Sequence, residues 1–417
     1  ILSALLGYYF SYLWGDQSWL QVKETPIFYQ LILWVKSLFI SALKMMIAPI
    51  VFFSLLGGIL NIKEITKLKK MGLITIGYYL STTAIAICIG LIAVFFIHPW
   101  ENSDVSIMVK DNVHKTRSNT YQAPQKFISE GDDSGFKILT TISERAFSNP
   151  FESLSSNNIL GIVTASLLIG LALISIAPLK SPLSSVVEDI NATINKILSW
   201  LIRLTPVGLF AIAFDFQLKT NGAILEQLFN FALLVFGATM IHGLIILPSI
   251  AWLYVGVSPK EFFTKSAKAL LVALSTASSS ATLPISMQTC EEEFNVSEGV
   301  SGFVFPLGAT MNMDGTALFE GIAAVFLAHL YGIELSTFST FSIFFMAMIS
   351  SIGAPGMPSA SMSGMQIVLL AAGIPLEAIG ILLVIDKPLD TFRTAVNVEG
   401  DMIGALVTQK YIDAKTR

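Results

Sequence analysis

Long apolar runs at roughly 28–60, 71–98, 151–177, 184–214 and 222–255 dominate the first part of the chain. Each exceeds or approaches the length set by the ~20 residues a helix needs to cross a hydrocarbon core, so the pattern predicts membrane helices, several tilted or extending beyond it. The runs lack the alternation over ~10 residues that marks the strands of a membrane barrel. The opening run, "ILSALLGYYFSYLWG", has no basic start and no small-residue cleavage site, and reads as a truncated first membrane helix, not a signal peptide.

The polar breaks set the topology, because short cytoplasmic loops carry an excess of Lys and Arg. "KEITKLKK" (63–70) is therefore expected inside. The region 101–149 lies one crossing further on, rich in Ser, Asn and Gln with acids such as Glu101 and Asp104, and is expected outside as an extracellular loop. Three further crossings return the chain to the cytoplasm at Lys260, Lys265 and Lys268, where the tail Lys410, Lys415 and Arg417 must also end. Only two full crossings then fit after residue 260, yet four apolar stretches remain. Two of them must enter and leave on the same side.

Those two are predicted to be re-entrant hairpins. The first spans about 262–292 around "STASSSATLP", and the second about 337–375 around "SSIGAPGMPSASMSG". Ser, Gly and Pro break helices and offer hydroxyls, and such backbone at membrane depth is tolerated only where protein buries it or a wet cavity receives it. The interval from Ser279 to Asn312 equals that from Met357 to Asp390, which suggests an inverted repeat.

Composition agrees with this reading. The chain is 53% hydrophobic and only 13% charged, with mean hydropathy +0.70, which leaves too little polar surface to coat a soluble protein of this length. A net charge of -4 argues for no charged partner and no nucleic acid. Cys88 and Cys290 form neither a disulfide framework nor a thiolate metal site.

Candidate chemistry concentrates in two late segments. Asp386, Asp390, Arg393, Asn397 and Asp401 recur three or four residues apart and share one narrow helical stripe. Charges at bilayer depth cost about 3 kcal/mol or more each, so such a stripe marks a substrate or ion path in a protein-lined cavity. Glu399 faces the other way, as a bridge to another helix or near the cytoplasmic boundary. Upstream, "GATMNMDGTALFEG" (308–321) sets Asn312, Asp314 and Gly315 together, which predicts an unwound turn with free carbonyls beside a carboxylate. Oxygen-only ligation suits a hard cation. Thr316 and Glu320 sit on one face.

With "LKMMIAPIVFFSLLGGI", "YYLSTT", "SSSATLP", "NMDGT" and "DTFRTAVNVEGD" in order, the chain resembles the glutamate transporter family along essentially its whole length. These are the dicarboxylate/amino acid:cation symporters that include the excitatory amino acid transporters. The resemblance implies an all-α fold of eight transmembrane helices and two re-entrant helical hairpins with an inverted repeat, assembled as a homotrimer in the plasma (inner) membrane. The first, second, fourth and fifth helices (1–60 and 151–214) would form a scaffold. Helix three (70–98), after which comes the extracellular loop 99–150, would join 222–417 as a transport domain that moves through the lipid bilayer as an elevator.

The same resemblance implies site residues. Substrate would lie between the hairpin tips (Ser278, Ser279 and Ser280; Gly356, Met357 and Pro358) and the last helix. Asp390 would hold the amino group, Arg393 with Thr316 the side-chain carboxylate, and Asn397 with Ser279 the main-chain carboxylate, beside Thr394. Sodium would be held by Asp401 with Asn397, Gly308 and Asn312; by Asp314 with Tyr79, Thr82 and Thr83; and by Thr310 with carbonyls of Ser351, Ile352 and Ala354. No cofactor is implied beyond these coupling ions. Glu320 stands where proton-coupled animal transporters carry glutamate and archaeal sodium-only ones carry glutamine. Desolvation disfavours a bare carboxylate, so Glu320 is a candidate proton carrier. Departures from the family pattern are the lack of a second arginine, at Ala277 or Thr391, and Pro355 in the second tip.

The expected function is sodium-coupled, and also proton-coupled, symport of aspartate or glutamate. Alternatives are a dicarboxylate or neutral amino acid symporter of the same fold, or mainly an anion channel. An enzyme is not expected: an intramembrane aspartyl protease could use Asp314 and Asp390 but lacks the Gly-x-Gly-Asp setting. His98, His242 and His329 have no suggestive spacing to the hairpin serines.

Overall fold

The computed structural model describes residues 6, 9, 26–46, 48–49, 52–53, 56–57, 60, 69–97, 143–144, 146–156, 158–176, 182–220, 223–353 and 361–416. The 63–68 part of the lysine-rich turn, most of the 99–150 loop, Ala354, Pro355, Gly356, Met357 and Pro358 lie outside the described residues. Among the described residues the secondary structure is helical, with no strand.

Helix α1 is Ile27–Met45, α2 Lys69–Ile97, α3 Pro150–Ser156, α4 Ile159–Ile176, α5 Pro182–Arg203 and α6 Thr205–Thr220. The apolar run 184–214 is thus two helices, divided at Leu204. Pro206 has no N–H for the preceding helix to bond, so it sits in the first turn of a new one. Buried Asp215 of α6 takes Tyr29 and Lys36 of α1 as partners, tying those helices together.

Helix α7, Ala223–Ile241, continues through two wide, π-type turns, His242–Ile246 and Ala251–Val255, and stops at Gly256, whose φ of 92° only glycine adopts without strain. Helices α8 (Pro259–Thr276) and α9 (Ser279–Phe294) pack as a hairpin. Ser258 caps α8 by accepting the Glu261 N–H, and Ser278 caps α9 by accepting the Ala281 N–H. Only Ala277 and Ser278 separate the helices. Ala277 takes a left-handed conformation (φ 49°), so the tip stores about 1–2 kcal/mol of backbone strain.

Helix α10 (Glu298–Met311) and α11 (Asp314–Leu330) are one apolar rod interrupted at Asn312 and Met313. Of the residues expected to unwind, Asn312 lies in the break, with Met313, while Asp314 opens the new helix. Gly315 lies inside that first turn, where its missing side chain serves close packing. The rod is enclosed by protein: 94% of its most apolar window is buried, against 39% for α2. Helix α11 packs on α2, α7 and α14 and on a second hairpin, α12 (Thr337–Gly353) with α13 (Ser361–Ala371). The long α14, Ile379–Thr416, closes the chain.

Two apolar cores fill the assembly. One is built on α7, α11, α12, α13 and the start of α14 as far as Leu389, where Phe231 stacks on Phe326 at 4.7 Å. The other is built on α8, α9, α10 and the later part of α14 from Val396. The polar stripe on α14 and the α10–α11 break lie where the two cores meet.

Candidate functional site

Every member of the α14 stripe is buried: Asp386, Asp390, Arg393, Asn397 and Asp401 are each 5% exposed or less. The Arg393 guanidinium lies 3.9 Å over the Phe319 ring, a cation–π contact that fixes its plane. Its Nη2 donates to Asp386 at 2.5 Å, to Asp390 at 3.1 Å and to the Ser361 hydroxyl at 3.1 Å. Both carboxylates belong to its own helix, so this charge pairing does not lock two helices together. Nε and Nη1 have no partner among the described residues. A fork with two buried, unused N–H directions and fixed geometry is suited to a carboxylate.

The α10–α11 break meets α14 one turn further along. Asn312 donates to Asp401 Oδ1 at 2.9 Å and to the Asn397 carbonyl at 3.3 Å, while its own Oδ1 is buried without a partner among the described residues. The Gly315 N–H donates to Asn397 Oδ1 at 2.8 Å, and Asn397 Nδ2 reaches Thr316 Oγ1 at 3.4 Å. Glycine is required at the Gly315 contact, which is against backbone. A Cβ on Gly315 would lie 2.7 Å from the Arg393 carbonyl oxygen, and one on Gly308 would collide with the Asp401 carboxylate and the Tyr79 hydroxyl. Gly308, Asn312, Asn397 and Asp401 therefore converge on one oxygen-rich spot.

A second spot surrounds Asp314, which is fully buried. Its Oδ1 accepts from Thr83 at 2.6 Å, and its Oδ2 lies 3.0 Å from His242 Nε2. Tyr79 and Thr82 are buried on the same helix as Thr83, with the Tyr79 hydroxyl donating to the Val304 carbonyl at 3.0 Å and Thr82 donating to the Tyr79 carbonyl at 3.1 Å. Thr310 donates to the Leu307 carbonyl and Ser351 to that of Met348, on the packed helices α10 and α12. Ile352 packs against both apolar cores.

The remaining expected residues divide. Ser278 and Ser279 are buried at the first tip, Thr394 is buried beside Arg393, and Ser280 is exposed. Glu320 is fully buried in α11; Ser350 of α12 donates to its Oε1 at 2.9 Å, and its Oε2 has no partner among the described residues. Arg393 forms its ion pairs with Asp386 and Asp390, and no ion pair to Glu320 occurs among the described residues. Glu399 is buried, 3% exposed, and its Oε2 lies against Gly243 on another helix, α7. Sequence reading missed three partners. These are Asp386 as the nearest carboxylate to Arg393, Ser350 on Glu320, and His242 on Asp314.

Described residues that are helical throughout, apolar helices long enough to span a membrane and a buried site of opposed charges beside a broken helix define the class: a membrane carrier. A profile of the sodium:dicarboxylate symporter family matches residues 1–411, and the chain belongs to that family. It is 32% identical to mouse excitatory amino acid transporter 5, over 87% of this chain and 73% of that one. It is 31% identical to the proton/glutamate-aspartate symporter of Escherichia coli K12, over 99% and 90%. It is also 32% identical to the rabbit neutral amino acid transporter B(0), over 90% and 73%.

Proposed function

We propose that the protein is a sodium-coupled symporter of acidic amino acids, aspartate or glutamate, that also moves a proton on Glu320. The observation that carries the substrate class is Arg393: a buried guanidinium with Nε and Nη1 unused among the described residues, in the middle of a stripe that also offers Asp390. A substrate with two carboxylates and one ammonium matches that set. Arg393 with Thr316 receives the side-chain carboxylate, Asp390 the ammonium, and Asn397, Thr394 and the tip serines Ser278, Ser279 and Ser280 the main-chain carboxylate. Gly356, Met357 and Pro358 of the second tip complete the enclosure. A neutral substrate would leave the guanidinium with its two aspartates and nothing to exchange for them, which disfavours the neutral reading.

Sodium enters as cargo. Gly308, Asn312, Asn397 and Asp401 supply one position, and the Asn312 Oδ1, unpartnered among the described residues and beside the Asp401 carboxylate, fits an oxygen-coordinated hard cation. Tyr79, Thr82, Thr83 and Asp314 supply another. Thr310 with the carbonyls of Ser351, Ile352 and Ala354 supplies a third. The ions at Asp314 and Asp401 cancel charge that substrate alone would leave uncompensated, which gives a physical reason for coupling. We further propose that α8–α9 and α12–α13 are re-entrant hairpins whose tips meet over the substrate. In this reading 222–417 with α2 travels as a unit against a homotrimeric scaffold in the plasma membrane.

Calorimetric titration of purified protein tests this. Aspartate should bind only with sodium present, and serine should not compete. Binding that ignores sodium would overturn the proposal.

A further inference from the structure

We propose that His242 is a positioning residue for the Asp314 cation site, a member of neither the sodium nor the substrate set assigned above. The proposal rests on the reading of Asp314 as a sodium ligand. His242 and Asp314 are both fully buried, on α7 and at the start of α11, and approach at 3.0 Å through Nε2 and Oδ2. A carboxylate only accepts, so Nε2 donates. His242 opens the wide turn His242–Ile246, closed by the Leu247 N–H onto the His242 carbonyl. Such turns re-aim a helix face and recur at functional sites. Next to it, Gly243 brings the α7 backbone against α14: a Cβ there would lie 2.7 Å from Val396 Cγ2 and 3.2 Å from Glu399 Oε2. The wide turn and the glycine together let the imidazole reach the α10–α11 break.

The two donors on Asp314 are not equivalent. Thr83 is itself in the proposed ligand set, and a hydroxyl that turns a lone pair to a cation can redirect the proton it gives to Oδ1. The Nε2–H offers no lone pair and has no such alternative. His242 therefore holds the carboxylate in one orientation with or without the ion, the role that outer partners play for metal-ligating carboxylates, whose loss costs about 10–100-fold in affinity.

The test is sodium titration of the full-length purified protein without aspartate, read as the rise in unfolding temperature that binding produces. Aspartate affinity is then measured at saturating sodium. His242→Ala should require about 10–100-fold more sodium for half-saturation, while aspartate affinity at saturating sodium stays near wild type. His242→Gln, whose amide can replace the Nε2 donor, should keep sodium affinity within roughly threefold. His242→Asn, with its amide one bond short, should fall between them and keeps the test open if the alanine variant does not fold. Wild-type sodium affinity in His242→Ala, or equal losses in the glutamine and asparagine variants, overturns the positioning role. Asp314→Asn separates the two ideas. If it responds to sodium as wild type does, the cation site itself is wrong; if it loses the response while His242→Ala keeps it, only the role of His242 falls.

Discussion

Helix α11 approaches α14 backbone against backbone at Gly315, which makes Gly315→Ala the most discriminating small change. The added Cβ would stand 2.7 Å from the carbonyl oxygen of Arg393, 2.8 Å from its Cα and 3.1 Å from its carbonyl carbon. No side chain can swing away, because all three atoms are main chain inside α14. Helix α11 must shift off α14, and overpacking of this kind costs about 1–3 kcal/mol. The same shift lengthens the Gly315 N–H bond to Asn397, now 2.8 Å, a further loss of about 1 kcal/mol. A total of about 2–4 kcal/mol corresponds to a loss of roughly 30- to 1,000-fold if it appears wholly in binding. Gly302→Ala on α10 is the control, since its Cβ meets nothing within 4 Å; it should be neutral or stabilise by up to about 1 kcal/mol through helix propensity. Aspartate affinity at saturating sodium and the unfolding temperature are measured for both. Wild-type values for Gly315→Ala would refute the argument that the α11–α14 approach builds the site.

Other outcomes follow from single side chains. Arg393→Cys should abolish aspartate binding, since the substrate carboxylate would be buried unpaired at a cost of about 2–5 kcal/mol, and should admit small neutral amino acids; near-normal aspartate affinity contradicts the assignment. Asp401→Asn, which removes the charge that accepts from Asn312, should weaken sodium binding and, at sodium below saturation, aspartate binding with it, since the two are linked; wild-type aspartate binding at low sodium contradicts Asp401 as a sodium ligand. In proteoliposomes, Glu320→Gln should keep the Ser350 hydrogen bond and sodium-dependent uptake but end acidification of the lumen, and a variant that moves as many protons as wild type makes Glu320 structural.

The α14 stripe was legible because a helix repeats every three to four residues, so the spacing from Asp386 through Asp401 alone marks one buried face. The break near Asp314 was legible for a similar reason, as polar residues and glycine interrupt an apolar rod, although its place was set by Asn312 and Met313. The partners were not legible. His242 lies far from Asp314 in sequence, and the wide turn that aims it leaves no periodic trace in an apolar run. Ser350 on Glu320 and Ser361 on Arg393 come from the second hairpin, where serines are common and none stands out. The division at Leu204 was hidden because apolar residues continue through it; Pro206 was its one local sign.

The most direct measurement of the central claim is accumulation of labelled aspartate in proteoliposomes under an imposed sodium gradient. The account predicts uphill uptake that collapses when sodium is equal on both sides and that is absent in Arg393→Cys. Uptake that only equilibrates aspartate across the membrane, whatever the sodium gradient, would contradict it.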